Sequence, residues 1–382
     1  MDAERGVVKI AFGCTIYARA LQNRHLDGIG YYANELATRL ATTEDELHPL
    51  VFGPSRKATL YGRPVLQWPA FGPCALASAL TGCSFPGNKQ LQRQVDLVHA
   101  TDHHIPKFKG TPVLATLMDA IPLSHPEWAN SRLRSIKNLL WKKTSTWADH
   151  IVTVSEYAKT EIINHFHVDE HRISVVPLGV DERFFQPMAT EERQAILASH
   201  QLPPHYFLFI GTLQPRKNLN RVIQAHQSLP TGLRKAYPLV IIGRAGWGCE
   251  PLIAQLRDMP ASEPVHWLGG VDDKTKRALL QQASALVFAS LSEGFGLPVL
   301  EAYASGTPVI ASNTTSVPEV AGQAALLVDP LRTEAIAHAM QQIIDDSALA
   351  AQLAHQGLTR SHQFTWDTCA EKTRAIYRQM LS

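Results

Sequence analysis

Two glutamates, Glu293 and Glu301, bracket the segment of this sequence best suited to hold a ligand. The apolar run Ala285–Ala289 leads into Ser290-Leu291-Ser292-Glu293-Gly294-Phe295-Gly296-Leu297, and Pro298 then opens a short helix that Gly306 ends. Proline is favoured in the first helical turn, and glycine just past the last one. Gly294 and Gly296 let backbone approach a ligand closely. The free amides of the first turn suit an anion or sugar hydroxyls. Ionised carboxylates only accept hydrogen bonds, so Glu293 and Glu301 suit pairs of hydroxyls. The plainer alternative is a loop charge at Glu293 and a solvated helix residue at Glu301.

A second group with chemical potential lies between the strand-like Tyr206–Ile210 and a helix from Leu219: Gly211-Thr212-Leu213-Gln214-Pro215-Arg216-Lys217-Asn218. Adjacent cations at such a turn are either a solvated surface pair or a clamp for phosphate, with Arg216 as a planar fork and Lys217 as a point charge. Gly28, Gly30 and Ala33 fit G-x-G-x-x-A. A dinucleotide fingerprint is nevertheless disfavoured, because a long stretch separates Gly28 from the first strand and no acid follows the second. His99, Asp102, His103 and His104 invite a metal reading, but no further ligand motif or D-x-D accompanies them. No metal and no cofactor is expected.

These residues need elements to position them. Apolar β-branched runs alternate with helical-period segments: Val7–Phe12, Pro49–Phe52, Leu97–Ala100, Val113–Leu117, Ile151–Val154 and Ile173–Val176, then Tyr206–Ile210, Leu239–Ile242, Val265–Leu268, Ala285–Ala289, Pro308–Ala311 and Ala325–Val328. Such alternation predicts parallel sheets covered on both faces. About twelve strands exceed one comfortable sheet, so two doubly wound α/β domains are expected. Their predicted bounds are 1–185 and 186–364, with 365–382 a C-terminal helix returning to the first domain. Ser316 and Glu319 form S-x-x-E, which predicts a capping box.

The 382 residues carry a net charge of +2 and 18% charged side chains, a balance that argues against nucleic acid as a partner. Five cysteines without a C-x-x-C pair suit reduced thiols in a cytoplasmic protein. The N-terminus lacks the pattern of a signal peptide. Residues 130–149 carry Arg132, Arg134, Lys137, Lys142 and Lys143, with Leu133, Ile136, Leu140, Thr144 and Trp147 spaced for one helical face and Trp141 beside it. That is either a crossover helix packing on its sheet or a peripheral contact with an anionic membrane surface.

The string E-G-F-G-L-P-V-L-E-A-Y-A-S-G-T-P-V-I-A-S, starting at Glu293, resembles the E-x7-E signature of retaining glycosyltransferases of family 4, which have the GT-B fold. The resemblance continues through Ser316–Gly322 and Leu327–Pro330. It implies two Rossmann-like domains facing across a deep cleft, with Glu293 at the transferred sugar and Glu301 at the ribose. Arg216 and Lys217 would meet the diphosphate, and the amides at Gly28 and Gly30 would approach it from the other domain. Thr212, Gly294, Phe295, Gly296 and Leu297 complete the expected donor-binding set. Thr212 departs from the pattern, because many relatives carry Arg there. Met118 replaces a usual His, leaving Asp119 to orient the sugar or take the acceptor's proton; its alternative is a turn residue. Ile241–Trp247 resembles a stretch common among bacterial mannosyltransferases of surface-polysaccharide synthesis. GDP-mannose is therefore the expected donor, and a saccharide or polyprenyl-linked saccharide the expected acceptor. UDP- or dTDP-sugar transfer, a nucleotide-sugar epimerase, a phosphorylase and a non-catalytic nucleotide-sugar-binding protein remain alternatives.

Overall fold

The computed structural model describes residues 6–23, 28–55, 57–128, 134–260 and 262–382. Asp27 and residues 130–133, Arg132 and Leu133 among them, lie outside the described residues. The chain forms two compact units, Met1–Gly179 with Trp366–Ser382, and Val180–Thr365. The division falls after Gly179 rather than after residue 185. The 3-10 turn Glu182–Phe185 packs on the helix Leu297–Ala304, and Val180 bridges to Thr365, so both belong with the second unit.

In the first unit, β1 (Lys9–Gly13), β2 (Glu46–Phe52), β5 (Leu66–Trp68), β6 (Leu97–Ala100), β7 (Val113–Thr116), β8 (His150–Thr153) and β9 (Ile173–Val175) form a parallel sheet in the order β5-β2-β1-β6-β7-β8-β9. The short strands β3 (Thr59–Leu60) and β4 (Arg63–Pro64) pair antiparallel beside it. In the second unit, β10 (Phe207–Ile210), β11 (Leu239–Ile242), β12 (Val265–Gly269), β13 (Ala285–Phe288), β14 (Val309–Ser312) and β15 (Leu326–Val328) form a parallel sheet in the order β12-β11-β10-β13-β14-β15. The expected α/β class with two doubly wound parallel sheets is what the chain adopts. Central strands such as Phe207-Leu208-Phe209-Ile210 are buried along their whole length, because helices cover both faces.

Each sheet reverses its winding beside one central strand: β1 lies between β2 and β6, and β10 between β11 and β13. Loops leaving the carboxyl ends of the strands on the two sides of such a point diverge and leave a crevice where ligands bind. In the second unit these are the loops after β10 and β13, which carry Arg216-Lys217 and Glu293.

The C-terminal helix Trp366–Leu381 packs on Gly28–Leu40 in the first unit, with Arg374 Nε 2.7 Å from Asp45 Oδ2. Its Tyr377 hydroxyl meets His99 Nδ1 at 2.7 Å, and His99 Nε2 meets Thr116 Oγ1 at 2.8 Å, inside a fully buried network. Burial pushes the His99 imidazole down to about 3. The fold thus rejects a proton that the unfolded chain accepts below its ordinary value of 6.5. Stability therefore falls as pH drops through that window, by ~1.4 kcal/mol per pH unit from this group. Melting midpoints followed from pH 6.5 downward are expected to fall more steeply for the wild type than for His99→Gln; equal slopes would contradict the assignment.

The described basic helix is Arg134–Ser145. Leu140, Trp141 and Trp147 pack on the core of the first unit and Thr144 is buried, but Ile136 is 59% exposed and leaves the expected packing face. The core reaches Leu140 and Trp141 but not the turn before them. No helix among the described residues is long and apolar enough to cross a membrane.

Candidate functional site

Three charged side chains meet at the winding reversal of the second sheet. Glu293 Oε2 accepts from Arg216 Nη1 at 2.8 Å, and Glu293 Oε1 from Lys217 Nζ at 2.5 Å. Both Lys217 and Glu293 are buried. Burial alone would push the Glu293 carboxyl up, but Lys217 and Arg216 outweigh it and, with a hydrogen bond from Ser290, hold it at about 2. Lys217 also lies over the Phe288 ring, 5.3 Å from its centre.

The two loops are stitched together by backbone and amide contacts. Leu291 N donates to Arg216 O at 2.8 Å, and Arg216 Nη1 donates to Ser292 O at 3.0 Å. Asn218, in a left-handed conformation at φ 60°, donates through Nδ2 to Ala289 O at 2.9 Å and Pro330 O at 2.7 Å. Thr212 is exposed at the start of this loop.

The helix after the second loop runs Leu297–Ala304 with Pro298 in its first turn, and Gly296 precedes it at φ 129°, a conformation that side chains resist. Phe295 is buried, edge-on to Phe364 at 6.0 Å. One turn inside, Glu301 is buried, and its Oε1 accepts from Lys276 Nζ at 2.6 Å. Lys276 was not singled out from sequence; it lies 5.0 Å from the centre of the Phe184 ring, one helix away from Glu301.

Ser316 corrects an expectation. Its backbone is helical, at φ −78° and ψ −12°, and its side chain makes no cap. A capping serine needs extended backbone to turn its hydroxyl onto the first turn. Ser316 Oγ lies instead 2.9 Å from Glu293 O and 2.8 Å from Phe295 O, sharing one proton between them. Thr315 Oγ1 accepts from Glu293 N at 3.3 Å. These two hydroxyls hold the carboxylate loop, a role that becomes visible only when the chain is folded. Ser316→Ala leaves two carbonyls without that donor. The expected cost is ~1–3 kcal/mol, with turnover reduced about tenfold, read from denaturant melts and steady-state rates. Unchanged turnover would show that the loop holds its shape without Ser316.

Arg216, Lys217 and Glu293 are thus brought together, and Gly294, Phe295, Gly296, Leu297 and Glu301 continue from them along one loop and helix. The other expected residues belong to the first unit. Gly28 opens the helix Gly28–Leu40, with open space where a Cβ would lie, and Gly30 is buried. The helix Thr15–Asn23 lies between the first strand and Gly28, so Gly28 does not follow directly on that strand as in a dinucleotide site. Asp119 is half-buried, and its Oδ1 accepts from Ile121 N at 3.1 Å, the hydrogen bond of a turn residue.

Two family models match the two halves: Glycosyltransferase Family 4 over residues 26–184, and Glycosyl transferases group 1 over residues 192–360. The chain belongs to the glycosyltransferases. This glycosyltransferase is 37% identical over 260 residues to the O-antigen chain mannosyltransferase B of Escherichia coli, a match covering 67% of this chain and 66% of the relative. It is 30% identical over 245 residues to the MMP alpha-(1->4)-mannosyltransferase of Mycolicibacterium hassiacum, covering 63% of this chain and 56% of that one. The matches thus span just under two thirds of the first relative and little more than half of the second. In fold it is similar to Anabaena Alr3699/HepE, crystallised with UDP and glucose, at a TM-score of 0.73 and 17% identity over 97% of this chain and 100% of that one. WaaG, a glycosyltransferase involved in lipopolysaccharide biosynthesis, gives a TM-score of 0.73 at 17% identity over 96% of this chain and 99% of that one. These structural neighbours have the GT-B fold, and so does this glycosyltransferase.

Proposed function

We propose that this chain is a retaining α-mannosyltransferase that takes mannose from GDP-mannose and adds it to a saccharide, free or polyprenyl-linked, of a bacterial surface glycan. The observation that carries this reading is the buried Glu293 carboxylate held by Arg216 and Lys217 where the second sheet reverses its winding. Fixed cations there can neutralise the charge that develops on a departing diphosphate. With Arg216, Lys217 and Ser290 already donating to it, the carboxylate keeps about one acceptor position for a sugar hydroxyl. Glu301, fixed by Lys276, is the acceptor for ribose hydroxyls. The new bond forms on the face of the anomeric carbon that the diphosphate leaves, and the acceptor's proton passes to a departing phosphate oxygen. Arg216 and Lys217 supply the positive charge this needs, so metal-independent transfer is proposed. The mannosyltransferase relatives support the choice of sugar.

Incubating the protein with GDP-, UDP- and dTDP-sugars, with and without mannosyl acceptors, is expected to give an α-linked product and free GDP from GDP-mannose alone. Sugar conversion without an acceptor would favour an epimerase, phosphate dependence a phosphorylase, and no turnover a binding protein.

Cytoplasmic residence with peripheral membrane contact is part of the same proposal. The helices Phe71–Thr81 and Arg134–Ser145 pack together and contain no acidic residue. Leu76, Leu80, Ile136 and Leu139 are all exposed on them, flanked by exposed Lys137 and Lys143. Exposed aliphatics ringed by lysine suit anionic lipid headgroups. Flotation with phosphatidylglycerol vesicles is expected to carry the protein, and Leu80→Glu with Leu139→Glu to weaken this at least ~tenfold. Equal recovery on zwitterionic vesicles would contradict the electrostatic part.

A further inference from the structure

The winding reversal of the first sheet, between β1 and β6, holds a polar arrangement that the donor site does not use. Gly13 ends β1 so close to β6 that an added Cβ would lie 3.1 Å from both His99 O and Thr101 N. Thr101 Oγ1 donates to Gly13 O at 2.7 Å and ties the two strand ends. The next residue, Asp102, is buried, and its Oδ1 accepts from both the amide and Nδ1 of His104, each at 2.7 Å. Burial would raise the Asp102 carboxyl, but the imidazoles of His104 and His103 and the hydrogen bonds from His104 hold it at about 2. An ionised carboxylate fixes the proton of its partner imidazole on Nδ1 and leaves Nε2 as an oriented acceptor.

The ring itself cannot swing. It stacks on Phe52 at 6.3 Å and 17°, meets Phe71 edge-on at 4.9 Å, and lies 4.3 Å from the His103 ring. His104 is 7% exposed, and its Nε2 has no hydrogen-bond partner among the described residues. Unlike the sealed nitrogens His48 Nε2 and His226 Nδ1, which make no hydrogen bond, this atom is open to a ligand or to solvent. The ligand atoms of Asp102, His103 and His104 lie within 4.8 Å of one another. Oδ1 and Nδ1 are already engaged with each other, however, and an imidazole so engaged offers only Nε2 outward.

We propose that His104 Nε2 binds a hydroxyl of the acceptor saccharide, with Asp102 as the residue that positions it. The inference rests on the sugar-transfer reading and names a contact for its acceptor side. A carbohydrate hydroxyl is a donor of the right chemistry for an oriented imidazole nitrogen, and open α/β sheets bind ligands at just such a reversal. His104→Phe keeps the aromatic packing and deletes the acceptor atom, whereas Asp102→Asn weakens the orientation alone.

The expected result for His104→Phe is kcat/KM for acceptor about tenfold lower, with acceptor-independent donor hydrolysis and GDP binding unchanged. Asp102→Asn is expected to give a smaller loss of the same kind. Acceptor kinetics equal to wild type, or a parallel loss of GDP binding, would overturn the proposal. A second readout does not depend on turnover: titrating a mannosyl disaccharide alone into nitrogen-15-labelled protein is expected to shift the His104 Nε2 resonance. An unmoved resonance with saturating disaccharide would overturn the contact even in an active enzyme. A shift in a protein that transfers no sugar would sink the transfer reading and keep the saccharide site.

Discussion

Glu293→Gln is expected to lower kcat for sugar transfer about 10²–10³-fold while leaving GDP bound at least as tightly as in the wild type. The carboxylate already accepts from Arg216 and Lys217. On the proposed reading, a neutral amide in its place frees both cations for phosphate but removes the charged acceptor for the sugar. A split between turnover and nucleotide affinity therefore separates this role from simple misfolding. The burial of Glu293 and Lys217 adds a stability cost of ~3–5 kcal/mol, since an ion group is broken from one side. Because the carboxyl is held at about 2, the wild type stays ionised throughout the usual range. Its contribution to stability is complete above the ordinary value of 4.5 and is lost as pH falls from there through about 2. Steady-state kinetics with calorimetric GDP binding would decide it, and unchanged kcat would remove Glu293 from the chemistry.

Lys217→Met should be comparably damaging for a different reason. Methionine replaces much of the apolar stem but leaves the buried carboxylate with Arg216 alone. The expected loss is again ~3–5 kcal/mol of stability and about 10²-fold in kcat/KM for the donor. With one cation gone, the Glu293 carboxyl rises towards the range of ordinary carboxylates, so the acid limb of stability moves to higher pH than in the wild type. Lys217→Arg restores the charge but not the point geometry, and partial recovery is expected. Denaturant melts across pH, with donor kinetics for both variants, test this. A Lys217→Met protein with wild-type donor use would leave the phosphate clamp to Arg216.

The framework was legible because its physics is local. Parallel strands buried on both faces must be short apolar runs, and each run from Val7–Phe12 to Ala325–Val328 contains or overlaps a strand of the two sheets. The strand Leu66–Trp68 escaped notice because Gln67 interrupts its apolar run at the sheet edge, and the hairpin at Thr59–Pro64 turns through Tyr61 at φ 51° and Gly62 at φ 71° rather than a common turn pair. At the site, residue types were legible but pairings were not. Nothing in the local sequence tells Arg216 that it will meet Glu293, or Lys276 that it will meet Glu301; the sheet order does that. Ser316 shows the reverse error. Its S-x-x-E spacing fits a cap, yet the left-handed Thr315 before it turns the chain so that the hydroxyl serves the Glu293 loop. Asn218, Thr315 and the Asp102–His104 pair belong to the same class: polar residues whose work is tertiary.

The most direct test compares GDP with GMP by isothermal titration, in wild-type protein and in Arg216→Ala. If the cations beside Glu293 hold a diphosphate, GDP should bind at least about tenfold tighter than GMP, since a charge-assisted phosphate contact is worth ~1.5–3 kcal/mol. That advantage should largely disappear in Arg216→Ala. Equal affinity for the two nucleotides in the wild type, or an advantage that Arg216→Ala leaves intact, would contradict a donor site built on Arg216, Lys217 and Glu293.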